Sequence, residues 1–227
     1  VDLPSVTEIL DPNSGDQRGR SVQVLADGVN SQVDLGSLQN FLDYHANTTS
    51  TSEWDAEYSR LTATQGGEIT LGSLSSVRGA YVPLNGTGTL DVSTVESIVN
   101  SQVNVSTEEV GFSALTNAYN THFNINSVEV AFPVLQAAEL GSFTIAGVDI
   151  DLSSVTDVDA RDFYISGSVA IELPGVTSVT NTSGDMYWRA TGSGSILSLP
   201  NLTTINNGTG RDWDIFIQAQ QGGRVDL

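Results

Sequence analysis

The sequence predicts an all-β protein that winds as a right-handed parallel β-helix of about nine coils, with longer loops inserted in some coils. Two observations support this prediction: the composition, and a short apolar motif that returns about every 20 residues. Ser, Thr, Asn, Gly and Val dominate the chain of 227 residues, whereas the helix formers Lys, Glu, Arg and Met are scarce. Such a composition favours strands and turns over helices.

Charge excludes several classes of partner. The chain carries 27 Asp plus Glu against 8 Arg and no Lys, for a net charge of -19. Such a protein repels phosphate backbones and anionic lipid, because affinity for nucleic acid comes largely from basic groups. With no apolar run of 18 residues either, we expect neither nucleic-acid binding nor membrane insertion. The lack of cysteine fits the cytosol and equally a bacterial extracellular protein without disulfides.

The motif is a triplet of apolar residues spaced three apart. Residues 199–205 read LPNLTTI, with close copies beginning at positions 3, 71, 152 and 173 and weaker copies at 35, 92, 112 and 132. Through the middle of the chain the copies start 20 or 21 residues apart, and the longer steps elsewhere indicate insertions. At about 3.3 Å per extended residue, 20 residues make a loop of roughly 65 Å, enough for three short sides.

A second, alternating block precedes many triplets. Residues 61–71 (LTATQGGEITL) and 213–227 (WDIFIQAQQGGRVDL) alternate apolar and polar residues around a Gly pair. Alternation of this kind predicts half-buried strands, and the Gly pair predicts a turn. Coils built this way must stack at about 4.8 Å to bury their apolar faces, and parallel crossovers are right-handed. The alternative is a leucine-rich-repeat-like solenoid with a short helix per coil, which the strand-forming composition disfavours.

These motifs resemble the Leu-Pro-x-Leu-Thr-x-Ile β-solenoid repeats of very large bacterial extracellular and surface proteins. The resemblance covers the whole chain, but the motif specifies a core and not a site. It implies a β-solenoid fold and an extracellular or cell-surface location.

We expect residues 1–227 to form a single β-solenoid domain that is an excerpt of a longer repeat array. The final residues, 222–227, stop in the phase at which residues 1–5 begin, so tail and head would join as one repeat. The expected partners are therefore neighbouring repeats of the same chain or head-to-tail copies.

Aromatic residues on the insertions are the candidates for ligand binding. Aromatic faces beside polar groups suit sugar rings, so polysaccharide is the expected ligand. For Trp188 and Trp213 the alternation favours a core position instead, in phase with Ala190 and Ile215. The candidate residues are Trp54, Tyr58, Tyr187, Trp188 and Trp213.

Acidic residues suggest calcium as the one candidate cofactor, because Ca²⁺ prefers several oxygen ligands. The chain lacks the standard calcium-loop motifs, so solvated surface acid is the alternative. The candidate ligands are Asp11, Asn13, Asp16, Asp149 and Asp151.

The sequence thus predicts a non-catalytic structural or adhesive module that binds polysaccharide on its long-loop face. No catalytic residue is expected, since Lys is absent and no Ser-nucleophile, phosphate-loop or zinc motif occurs. The first alternative is a β-helix polysaccharide lyase or hydrolase that uses Arg161 or Asp159. The second is an ice-binding solenoid, which the interrupted threonine positions disfavour.

Overall fold

A computed structural model describes residues 1–12, 14, 20–44, 58–106, 110–126 and 129–227, and these residues form β-strands and turns. Among them there is no helix, and hence none long and apolar enough to span a membrane. The strands are β1 (Glu8–Asp11), β2 (Gln23–Asp27), β3 (Gln32–Asp34), β4 (Asn40–Asp43), β5 (Ser59–Thr64), β6 (Glu68–Thr70), β7 (Ser76–Arg78), β8 (Ala80–Leu84), β9 (Thr89–Leu90), β10 (Ser97–Val99), β11 (Gln102–Val105), β12 (Val110–Gly111), β13 (Thr121–Asn126), β14 (Val130–Ala131), β15 (Gly141–Ala146), β16 (Asp162–Ser166), β17 (Ala170–Glu172), β18 (Ser178–Thr180), β19 (Met186–Thr191), β20 (Ile196–Ser198), β21 (Thr204–Asn206), β22 (Ile215–Gln220) and β23 (Arg224–Asp226).

The strands pair in parallel with partners from the preceding and following repeats. The largest sheet has nine strands in the order β2-β5-β8-β11-β13-β15-β16-β19-β22. Smaller sheets follow the orders β1-β4-β7-β10, β3-β6-β9, β17-β20-β23, β12-β14 and β18-β21. In the central strands the pairing joins residues 20 apart, as in Asn104 with Asn124. The prediction of an all-β chain is confirmed, and the expected parallel pairing is observed.

Each apolar triplet forms a turn that leads into a short strand or an isolated β-bridge, not a helix. Its first carbonyl accepts a hydrogen bond from the backbone N–H three residues on, as from Leu38 to Leu35 at 2.9 Å. In the copies that begin at positions 35 to 173, all triplet residues are buried. Exposure appears in the outermost copies, where Leu3 and Ile205 are 43% and 38% exposed. The triplets therefore line the core, as their apolar character predicts.

Equivalent side chains from neighbouring repeats stack on one another inside. Phe112 lies parallel to Phe132 with ring centroids 5.1 Å apart, and Phe123 stacks on Phe143 at the same distance. Phe123 also meets the Phe132 ring edge-on at 5.3 Å. Offset and edge-to-face contacts of this kind stabilise aromatic pairs beyond simple burial.

Arg161 is a fully buried charge within this core. Its guanidinium donates to the carbonyls of Ala138 (2.5 Å), Thr121 (2.5 Å) and Ala118 (2.7 Å), and it lies 4.7 Å from the centre of the Phe143 ring. Burial lowers its pKa to about 9, which leaves the group charged at neutral pH. Alanine at positions 118 and 138 gives the long side chain space that larger triplet residues would fill.

Candidate functional site

The outer surface of the nine-stranded sheet presents polar and aromatic side chains in rows. Alternate residues of each strand face outward, and the parallel register places them beside their equivalents on the next strand. We call the following set the middle row: Pro83, Asn104, Asn124, Thr144, Tyr164, Arg189 and Gln218.

A groove of about 530 Å³ lies over part of this row. Strands β8, β11, β13 and β15 contribute its floor, so it spans roughly 14 Å at the usual spacing between strands. Residues that line it include Tyr81, Pro83, Asn104, Asn124, Thr144 and Ala146. Amides and hydroxyls thus stand beside an aromatic ring and small apolar groups in one open concave surface.

The polar groups of the groove form a directed chain of hydrogen bonds. Asn124 Nδ2 donates to Asn104 Oδ1 at 2.7 Å, and Asn104 Nδ2 donates to the Tyr81 hydroxyl at 2.9 Å. Gln102 Nε2 also donates to Asn104 Oδ1, at 3.3 Å. Because the Tyr81 oxygen accepts within this chain, its own hydrogen remains able to donate to a ligand. At the other end, Asn124 Oδ1 accepts no hydrogen bond from the described part of the protein.

His122 lies on the same face, one row from the groove. Its Nδ1 is 2.9 Å from Ser142 Oγ, and burial together with the charge of Arg161 lowers the pKa of the imidazole. His122 is therefore neutral at pH 7. The nearby Asp162 accepts hydrogen bonds from the Tyr187 backbone N–H (2.7 Å) and from the Tyr164 hydroxyl (3.2 Å). These hydrogen bonds do not involve His122, so Asp162 does not orient the imidazole.

Aromatic and arginine side chains follow beyond the groove. Tyr187 stacks on Phe216 with centroids 4.7 Å apart and planes 10° from parallel. Arg189 lies between 5.7 and 5.9 Å from the Tyr164 and Tyr187 rings and donates to Gln218 Oε1 at 2.8 Å. These rings use their faces for one another, which leaves mainly their edges for a ligand.

The four described aromatic residues chosen from the sequence differ in exposure and in their place in the fold. Trp54 lies outside the described residues. Trp188 is completely buried and its indole N–H donates to the Arg161 carbonyl at 3.0 Å, so its ring offers no face to a sugar. Trp213 is half-buried, and Tyr58 is half-buried with its pKa raised to about 12 by burial. Of the five, Tyr187 lies on the outer face of the nine-stranded sheet.

The three described calcium candidates, Asp11, Asp149 and Asp151, each have their own hydrogen-bond or ion-pair partners. Asp11 is buried and its Oδ1 pairs with Arg20 Nε at 2.6 Å, so a basic side chain already neutralises it. Asn13 and Asp16 lie outside the described residues. Asp149 accepts from the Ala170 N–H at 2.7 Å. Asp151 accepts from the Ser153 N–H at 2.9 Å, and hydrogen bonds from Ser153 lower its pKa.

A different group of carboxylates is brought together, namely Glu139, Asp157 and Asp159, with ligand oxygens within 4.8 Å of one another. Burial and repulsion from the neighbouring carboxylates raise the pKa of Glu139 and of Asp159, while the Thr180 N–H opposes the rise at Asp159. Three carboxylates can attract a cation, but Ca²⁺ takes six to eight oxygens, so this group alone does not make a calcium site. The 20-residue separation of Glu139 and Asp159 is the signal that could have found the pair.

The groove residues were also missed from the sequence. Tyr81, Asn104 and Asn124 lie in regular strands, whereas the sequence led us to expect ligand-binding residues on the insertions. The signal for them was the repeat itself, since Asn104 and Asn124 occupy equivalent positions 20 residues apart. No family model, curated protein or solved structure matches the chain.

Proposed function

We propose that this chain is a non-catalytic parallel β-helix module of an extracellular or cell-surface protein, and that it binds polysaccharide on the outer face of its nine-stranded sheet. The observation behind the binding proposal is the groove in which Tyr81, Asn104 and Asn124 form one hydrogen-bonded chain. The module would act as a spacer or an adhesive stalk with a glycan contact on its side.

The regular pairing supports a β-helix of about nine coils. Nine strands follow one another in the largest sheet, and each is hydrogen-bonded to the strand from the next repeat. Central steps are 20 residues long, whereas the steps from Asp162 to Tyr187 and from Arg189 to Gln218 are 25 and 29 residues. Longer steps keep the register because the extra residues lie between paired strands. A right-handed winding is expected from the general preference of parallel crossovers.

Polysaccharide suits the groove for three physical reasons. The Tyr81 ring, Pro83 and Ala146 supply apolar surface for the C–H faces of sugar rings. Asn104, Asn124 and the Tyr81 hydroxyl supply donors and acceptors for sugar hydroxyls. The groove is open along the sheet, which fits a polymer better than a small molecule enclosed on all sides.

Isothermal titration against a set of soluble polysaccharides tests this proposal. We expect Tyr81→Ala combined with Asn124→Ala to weaken binding at least tenfold, because the variant removes a stacking surface and one end of the hydrogen-bond chain. The matched control is Asn117→Ala, since Asn117 is half-buried on another part of the same repeat and Ala137 holds the next equivalent position. Circular dichroism verifies that all variants fold. Equal binding by the double variant and the control would exclude the groove as the site.

Incubation of the same polysaccharides separates binding from catalysis. A lyase or hydrolase would release unsaturated products or new reducing ends over time. Arg161 is completely buried and held by three carbonyls, so a polymer does not reach it without local unfolding. We therefore expect no turnover, and turnover that depends on Asp159 would overturn the non-catalytic proposal.

A further inference from the structure

We infer that the ligand of the groove is a neutral, hydroxyl-rich glycan that lies along the middle row, across strands β8, β11, β13 and β15. This inference rests on the proposed function, because it specifies the chemical class and the direction of the polysaccharide.

Charge selects against an acidic polymer. The lining of the groove consists of amide, hydroxyl and apolar groups, with no charged side chain among the described lining residues. The chain as a whole has a net charge of -19, so a polyuronate would approach a repulsive field. Within the described part of the chain, Arg60 contacts the lining, with its guanidinium 5.0 Å from the centre of the Tyr81 ring. Arg60 is therefore the residue that would have to recognise a sugar carboxylate.

Hydrogen-bond capacity selects for hydroxyls. The chain from Asn124 through Asn104 to Tyr81 ends in one acceptor, Asn124 Oδ1, and one donor, the Tyr81 O–H. A sugar hydroxyl both donates and accepts, so neighbouring hydroxyls can meet both ends. A carboxylate accepts but does not donate, and it would leave Asn124 Oδ1 facing another acceptor.

The placement of the Asn104 and Asn124 amides indicates the direction in which the glycan chain lies. Asn104 and Asn124 are paired in register on adjacent strands, and Thr144 continues the row on the next strand. Equivalent contacts are therefore repeated across the strands and not along any one of them. A linear polymer satisfies repeated contacts when its axis follows the row, for roughly 14 Å at the usual strand spacing.

The experiment compares two neutral probes, laminarin and galactomannan, with two acidic probes, polygalacturonate and alginate, at equal ionic strength and with a chelator present. We expect at least one neutral probe to bind tenfold or more tightly than either acidic probe. Arg60→Gln should leave neutral binding within twofold, whereas Tyr81→Phe should weaken it about fivefold. Neutral binding should also change less than twofold between low and high salt, because no ion pair is formed.

Different failures point to different errors. If none of a broad polysaccharide set binds, the proposed function itself is wrong. If polygalacturonate or alginate binds best and Arg60→Gln abolishes that binding, the site binds polysaccharide but the inference of a neutral ligand is overturned. If neutral binding survives both Tyr81→Phe and Asn124→Ala, the inferred position along the middle row is overturned.

Discussion

Replacement of Arg161 by methionine tests how a buried charge holds three successive repeats together. Arg161 belongs to the repeat that begins at Leu152, and its guanidinium reaches carbonyls of the two preceding repeats at Ala138, Thr121 and Ala118. Methionine keeps a long apolar side chain in the same space but donates no hydrogen bond. The change therefore separates the hydrogen bonds and the charge from simple cavity formation.

Opposing terms decide the size of the effect. Loss of a donor by a buried carbonyl costs about 1–3 kcal/mol, so three carbonyls lose about 3–9 kcal/mol. Removal of the buried charge returns several kcal/mol of desolvation energy. We expect Arg161→Met to lower the free energy of unfolding by about 2–4 kcal/mol, near the upper end of single substitutions.

Arg161→Lys sharpens the test, because it keeps the buried charge. A lysine ammonium lacks the planar fork of donors that serves three carbonyls at once. It should therefore destabilise at least as much as methionine, by about 2–5 kcal/mol. Urea denaturation monitored by circular dichroism gives both values, with Arg211→Met as control because that side chain is 94% exposed. A lysine variant as stable as the parent, or a methionine variant more stable than the parent, would refute this account of the buried guanidinium.

Two further changes probe single positions. Leu140 has a φ of 58°, and the equivalent residues of the two preceding repeats, Asn100 and Asn120, also have left-handed backbone conformations and are hydrogen-bonded to each other. Because asparagine tolerates this conformation better than leucine, Leu140→Asn should raise the free energy of unfolding by about 0.5–1 kcal/mol in urea titrations. A loss of stability would contradict the strain argument. Burial and nearby carboxylates raise the pKa of Glu139 when folded, so its ionisation destabilises at neutral pH and this penalty disappears as the pH falls through the raised pKa. Glu139→Gln should accordingly stabilise by a few tenths of a kcal/mol at pH 7 and by nothing at pH 3, and an equal effect at both pH values would show that charge is not the cause.

The inward half of each repeat could be predicted from the sequence, because burial demands apolar residues at fixed spacing. The triplets from Leu35 to Val179 are buried as their pattern predicts. Burial places no such constraint on the outward residues. Aromatic residues in a loop therefore do not by themselves predict a binding site. Trp188 illustrates the difficulty, since strand alternation favoured a core position and yet its ring also made it a candidate for a sugar site.

Arg161 was misread for a related reason. The sequence made it a candidate only for the alternative lyase or hydrolase, whereas its side chain turns inward to backbone carbonyls. The residues that leave room for the Arg161 side chain belong to the two preceding repeats. They are the small residues Ala118, Ala138 and Gly141. A Cβ on Gly141 would overlap the Thr121 carbonyl, so this position excludes larger residues. Space for a buried side chain is a property of several repeats at once, and a single motif does not reveal it.

The stacked phenylalanines of the core and the residues of the groove lie on the same strands, which gives the groove a rigid floor. Phe123 and Phe143 stack inside β13 and β15, and Arg161 lies against Phe143. The outward residues of those two strands include Asn124 and Thr144, which line the groove. Side chains held on well-packed strands lose little conformational freedom when a ligand binds, so more of the contact energy appears as affinity. The rigid floor beneath Asn124 and Thr144 is therefore a reason to place the proposed polysaccharide contact on this sheet.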